Sequence, residues 1–140
     1  MKYRDISKYK YMLEDTVTFR LPRGCREFGP CTLHNLIFVD ALGWVRVLKG
    51  YAWNGASGPT FDSKSTMVPC LFHDVCYDLM ANGKLPRKCR KAIDEKMHRD
   101  LIAWGMNKFR AWYWLVGVRA GGVFFARDPD KDQAKVHKII

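Results

Sequence analysis

His73 and Asp74 stand side by side in Val68-Pro69-Cys70-Leu71-Phe72-His73-Asp74-Val75-Cys76-Tyr77-Asp78-Leu79-Met80, an otherwise largely apolar run. Burial of two ionisable side chains is unfavourable unless they are paired, metal-bound or catalytic. Just upstream, the glycine-rich loop Trp53-Asn54-Gly55-Ala56-Ser57-Gly58-Pro59 offers main-chain oxygens to an ion. Downstream, Asp94 offers a carboxylate that can orient an imidazole. The chemistry implied is hydrolysis, with a metal polarising a carbonyl and His73 activating water.

On a helix, His73 shares a face with Cys70, Cys76 and Tyr77, at offsets of three and four. Asp74 points roughly 100° away around the same helix. The two neighbours can therefore divide the work, Asp74 facing a metal and His73 facing substrate and a second helix. An antiparallel helix pair would bring Asp94 to the His73 ring, where a carboxylate fixes the tautomer and stabilises the imidazolium. One carboxylate plus loop carbonyls make a hard-oxygen donor set, which suits calcium. Such a cation would stabilise the oxyanion of an ester under attack. Other readings stay open. Asp62 is either a further ion ligand or a turn acid. Asp94 and His98, four apart, could join His73 and Asp74 in a transition-metal site, although a solvated ion pair is the simpler account.

These residues also carry two resemblances. The glycine loop followed by Phe72-His73-Asp74-Val75-Cys76-Tyr77-Asp78 resembles the secreted phospholipase A2 superfamily, in which a glycine-rich calcium loop precedes a His-Asp-x-Cys-Tyr helix. That resemblance implies His73 as general base, Asp94 as the acid orienting it, Tyr77 in the catalytic set and Asp74 as a calcium ligand. Carbonyls near Trp53, Gly55 and Gly58 would complete the ion site. The spacing from His73 to Asp94 is similar to that of short prokaryotic members. The disulfide pattern of the secreted enzymes is not evident. The second resemblance runs from about Gly50 to Gly122. Gly50-Tyr51-Ala52-Trp53-Asn54-Gly55-Ala56-Ser57-Gly58-Pro59, His73-Asp74-x-x-Tyr77, Arg90-Lys91-Ala92-Ile93-Asp94 and Trp112-Tyr113-Trp114-x-x-x-Val118-Arg119 are similar to a phage and bacterial domain-of-unknown-function family. Its pattern is of the type Gly-Ala-Ser-x-Pro, then His-Asp-x-x-Tyr. Asn54 stands where that family usually has aspartate, which removes an anionic ligand.

The elements that must position these residues form a small β region followed by helices, an α+β order. Residues 1–15 are polar and basic and read as an N-terminal arm or irregular start. Thr16 to Leu21 alternates and reads as a strand, and Leu21 to Pro30 is broken by proline and glycine into a loop. Leu36 to Val39 and Trp44 to Leu48 read as a hairpin about Asp40-Ala41-Leu42-Gly43. Val68 to Met80 is the first helix, with Pro69 in its first turn and Asn82-Gly83 ending it. A second helix runs from Pro86 to about Lys108 and buries Ile93, Met97, Leu101 and Trp104. A third covers about Ala111 to Val118, with Gly121-Gly122 weakening its end. The fold expected is therefore α+β, a small β-hairpin region leading into a three-helix, phospholipase A2-like core. It divides into an arm (1–15), one domain (16–127) and a charged tail (128–140).

Composition narrows the partners. The chain has 140 residues, is 48% hydrophobic and carries a formal net charge of +10, a length and composition sufficient for one domain with its own core. The charge favours polyanions. Neither a secretory leader nor a membrane-spanning run is visible, so the chain is expected in the host cytoplasm when made, with virion association as a further destination. With that reading, the five cysteines are expected as reduced thiols. Trp112, Tyr113 and Trp114, near Lys108, Arg110 and Arg119, suit either a lipid interface or the core, and core is the simpler reading. Lys84, Arg87, Lys88, Arg90 and Lys91 suit a phosphate-facing patch or one wet helix face.

Two functions are carried forward. The first is a phage-encoded, calcium-dependent, phospholipase A2-like acyl ester hydrolase recruited to anionic phospholipid. The second is a non-catalytic phage virion, tail or assembly protein that keeps the same fold and binds other virion proteins. Nucleic-acid binding ranks third because charge alone supports it.

Overall fold

The alternation of apolar and polar residues in Val17-Thr18-Phe19-Arg20 and Trp44-Val45-Arg46-Val47 puts one face of each segment against a core. The computed structural model describes residues 3–5, 11–53 and 64–125. In chain order the strands are β1 (Tyr3–Asp5), β2 (Tyr11–Leu13), β3 (Val17–Arg20), β4 (Cys31–Leu33), β5 (Ile37–Val39), β6 (Trp44–Val47) and β7 (Ala52–Trp53). Three helices follow, α1 (Lys64–Ala81), α2 (Arg90–Ala103) and α3 (Lys108–Phe125). The α+β order expected from the sequence is thus the order of the fold.

The strands make two antiparallel sheets, β1-β2-β7 and β3-β6-β5-β4. In the larger sheet Val45 sits between Phe19 and Val39, and Val47 between Val17 and Ile37. Phe19, Ile37, Val39, Val45 and Val47 are buried in one core with Leu71, Val75 and Leu79 of α1. The β5–β6 hairpin forms where expected. Asp40 Oδ1 accepts the amides of Leu42 (2.8 Å) and Trp44 (2.9 Å). Gly43 has φ +82°, and a Cβ there would fall 2.5 Å from Arg26 Cγ. Glycine is therefore required both for the backbone conformation and for the close approach of Arg26.

The N-terminal stretch differs from the expected arm, because β1 pairs with β2 and β2 pairs with β7. The strand residues Tyr11 and Leu13 are buried in the main core. Short strands paired over two or three residues leave little periodicity for a sequence reading to detect.

The helix boundaries also move. The first helix begins at Lys64, so Pro69 lies inside it and removes one intrahelical bond. It ends at Asn82-Gly83 as expected, with Gly83 at φ +74°, Gly83 N–H donating to the Met80 carbonyl and Lys84 N–H to that of Leu79. The second helix stops at Ala103, short of Lys108, by the same device. Gly105 has φ +104°, its N–H donates to the Ile102 carbonyl, and Met106 N–H donates to that of Leu101. That termination leaves Trp104 52% exposed, where burial was expected. Asn107 then caps α3, its Oδ1 accepting the Arg110 amide at 2.8 Å. The helix continues through Gly121-Gly122 to Phe125.

Packing of α2 against both α1 and α3 completes the layer. Cys70, Met97, Leu101, Met106, Ala111 and Trp114 form a second core where the three helices meet. A disulfide joins Cys25 to Cys89 and ties the loop after β3 to the start of α2. It replaces the expectation that all the cysteines are reduced; Cys31, Cys70 and Cys76 lie outside it. No helix among the described residues is long and apolar enough to cross a membrane.

Candidate functional site

The i, i+4 spacing of His73 and Tyr77 on α1 places their rings one above the other, with centroids 4.2 Å apart. Both face α2. There Asp94 is fully buried, with Ile93, Met97 and Leu101 of the same helix. Its carboxylate receives both side chains on one oxygen. His73 Nε2 lies 2.7 Å from Asp94 Oδ1, and Tyr77 Oη donates to the same atom at 2.6 Å. Arg119 of α3 donates from Nη1 to Asp94 Oδ2 at 3.0 Å. His73 is only 9% exposed.

Burial by itself would raise the Asp94 pKa. Hydrogen bonds from His73 and Tyr77, the charge of His73 and the Arg119 hydrogen bond together override it, and the carboxyl is held below its ordinary value. The Tyr77 hydroxyl is pushed the other way, first by burial and then by its bond to Asp94 and that residue's negative charge. It is a fixed donor, not an ionising group. The Cys76 thiol, also buried, is pushed up to about 12 and is no nucleophile.

The structure therefore brings together His73, Tyr77 and Asp94, three of the residues singled out in the sequence. Asp74 is half-buried on a different stripe of α1. Trp53 lies in β7 with its side chain fully buried, 5.6 Å from the Tyr11 ring. Gly55, Gly58 and Asp62 lie outside the described residues. Among the described residues, no three His, Cys, Asp or Glu side chains are grouped to hold a metal. The transition-metal alternative built on His73, Asp74, Asp94 and His98 therefore has no ligand cluster behind it. The calcium reading relies chiefly on main-chain oxygens, which that grouping does not include.

Two features escaped the sequence reading. Arg119 reads in the sequence only as a cation accompanying the Trp112-Tyr113-Trp114 cluster, with no partner assigned; the available signal is a lone charge closing the uncharged run Ala111 to Val118. The other is Asp78, buried on α1 and accepting a hydrogen bond from the Tyr51 hydroxyl. That bond fastens the residue preceding β7, and with it the approach to the glycine loop, to the helix that carries His73.

The aromatic cluster on α3 divides. Trp114 is buried, but Phe109, Trp112, Tyr113 and Val116 are 76%, 54%, 50% and 46% exposed. Their spacing at i, i+3, i+4 and i+7 makes one apolar stripe facing solvent, so the core reading holds for Trp114 and fails for Trp112 and Tyr113.

Compared with known proteins, the chain matches no family model, no curated protein and no solved structure.

Proposed function

We propose that this chain is a phospholipase A2-like acyl ester hydrolase of phage origin, acting on lipid with calcium. The observation that carries the reading is the hydrogen bond between His73 Nε2 and Asp94 Oδ1, 2.7 Å long and buried. It leaves Nδ1 as the imidazole nitrogen that Asp94 does not occupy. In the proposed reaction Nδ1 takes a proton from water, the resulting hydroxide adds to the ester carbonyl, and the proton passes to the departing alcohol as the C–O bond breaks. Asp94, kept ionised by Tyr77 and Arg119, stabilises the transient imidazolium.

Asp74, with carbonyls of Trp53, Gly55 and Gly58, is the donor set proposed for calcium, whose chemistry is to polarise the ester carbonyl. The hard oxygen donor types in the sequence, a carboxylate next to His73 and a glycine-rich loop upstream of it, support that assignment. The exposed α3 stripe supports a lipid substrate, because Trp and Tyr favour the boundary between headgroups and acyl chains. The net charge of +10 supports recruitment to anionic lipid.

The second reading, a non-catalytic virion, tail or assembly protein, is favoured by one specific observation. Asp94 is fully buried and bridges all three helices through His73, Tyr77 and Arg119, as a network that merely fixes packing would. Release of fatty acid from phosphatidylglycerol vesicles separates the two. Calcium-dependent release that disappears in His73→Ala, while circular dichroism is retained, supports the hydrolase. Absence of release from wild type, with and without calcium, supports the assembly protein.

A further inference from the structure

A groove of about 480 Å³ runs between the chain leaving β3 and one side of α2. Its walls carry Arg20, Arg23 and Arg26 from the first and Lys96 and Arg99 from the second. Of the two carboxylates beside it, Asp100 is paired with Lys96, and Glu95 is half-exposed and lies 3.9 Å from Lys91 on its own helix. Among the described residues no ion pair reaches Arg20, Arg23, Arg26 or Arg99.

Two of these cations, Arg20 and Arg26, are held in place by contacts with the fold. Arg26 Nε donates to the Leu21 carbonyl at 2.7 Å, and its stem lies against Gly43. Arg20 Nε donates to the Leu42 carbonyl at 3.3 Å, and its guanidinium lies 5.4 Å from the Trp44 ring centroid. Desolvation, with the charges of Arg20 and Arg23, lowers the Arg26 pKa. Like charges gathered from two elements repel one another, and an anion in the groove relieves that repulsion. A solvated helix face differs, since its charges spread outward from a single element.

We propose that this groove binds a phosphate-bearing anion. Guanidinium forks match the oxygens of phosphate in paired hydrogen bonds. The ligand's source is a lipid headgroup or a free phosphate; the chemistry recognised is the same. The inference does not rest on the hydrolase reading. Ala92 and Lys96, which face the groove, lie roughly 200° around α2 from Asp94.

The test is calorimetric titration of the full chain with inorganic phosphate, alongside sedimentation with phosphatidic acid vesicles and neutral phosphatidylcholine vesicles. The double variant Arg23→Gln/Arg99→Gln removes two exposed cations of the groove. Lys49→Gln/Lys84→Gln removes the same charge elsewhere. Binding at least tenfold weaker in the first variant and within twofold of wild type in the second bears the proposal out. A response to phosphate alone assigns the groove to free phosphate, and a response to phosphatidic acid vesicles alone assigns it to a headgroup. Equal weakening in both variants, or no binding of either anionic probe by wild type, overturns it.

Discussion

Arg119 Nη1 reaches Asp94 Oδ2 at 3.0 Å, on the carboxylate oxygen that His73 and Tyr77 leave open. A single buried carboxylate thus holds α1, α2 and α3 to one another. Removing the guanidinium leaves the buried carboxylate with the His73 and Tyr77 donors alone. Hydrogen bonds to charged groups contribute about 1.5–3 kcal/mol. Arg119 is 36% exposed, so solvent screening brings the cost of Arg119→Gln to the bottom of that range or just below it, about 1–2 kcal/mol. Arg119→Lys, which keeps the charge but loses the planar fork, loses less. Urea unfolding of the two variants checks the order; Gln and Lys variants as stable as wild type would show that the contact contributes nothing.

The lowered Asp94 pKa sets a pH dependence. A carboxyl whose folded pKa lies below its unfolded value, about 3.9 for aspartate, contributes stability that is present above the unfolded value. That contribution fades as pH falls through the folded one. Asp94→Asn is therefore less stable than wild type by a constant margin from pH 7 to about 5, and the margin closes below pH 4. Tyr77, with its pKa raised, acts at the other limit. Its contribution is full below pH 10 and is lost above it, and Tyr77→Phe removes that alkaline loss. Unfolding free energies measured from pH 3 to 11 for the three proteins test both slopes.

His73, Tyr77 and Asp94 could be read from the sequence because ionisable and aromatic residues at helical spacing interrupt an apolar run. An antiparallel helix pair would let Asp94 reach the His73 ring, and the phospholipase A2 resemblance implies the same partner. The β5–β6 hairpin was legible for a similar local reason, since Asp40 and Gly43 specify a turn between alternating strands. Arg119 was not legible, because its partner lies on another helix and nothing in its neighbours marks the distance. The β1–β2–β7 sheet was hidden by strands too short to show a period. The second helix was read too long because the Gly105 stop lay inside a continuing apolar pattern that includes Trp104. The Cys25–Cys89 bond joins residues 64 apart, a pairing that spacing does not encode.

That bond has a measurable consequence. Cross-linking residues separated by 64 positions restricts the unfolded chain, and loop-closure entropy predicts about 4 kcal/mol of stabilisation. Cys25→Ser/Cys89→Ser lowers the urea midpoint accordingly, and dithiothreitol lowers that of wild type but leaves the variant unchanged. Thiol titration after unfolding without reductant detects Cys31, Cys70 and Cys76 and, after reduction, Cys25 and Cys89 as well. Detection of all five before reduction would remove the bond from the account.

The exposed stripe of α3 makes the sharpest distinction between lipid contact and packing. Phe109 and Trp112 lie with ring centroids 6.1 Å apart, and both are more than half exposed. Surface positions away from buried networks usually change stability by less than about 0.5 kcal/mol, so Phe109→Ser/Trp112→Ser should unfold at nearly the wild-type urea concentration. Binding to vesicles should fall much further. Apolar burial contributes roughly 25 cal/mol per Å², and two aromatic rings entering the headgroup boundary supply enough for a loss of at least tenfold in vesicle affinity. Trp114→Ser is the contrasting variant, because Trp114 packs with Met97, Leu101 and Met106. Truncating such a buried tryptophan should cost about 3 kcal/mol or more of stability. Sedimentation with phosphatidylglycerol vesicles and urea unfolding, applied to both variants, separate the two roles. Full vesicle binding by Phe109→Ser/Trp112→Ser would remove the stripe from lipid contact, and a monomer produced from a wild-type dimer by the same substitutions would assign it to a second copy of the chain.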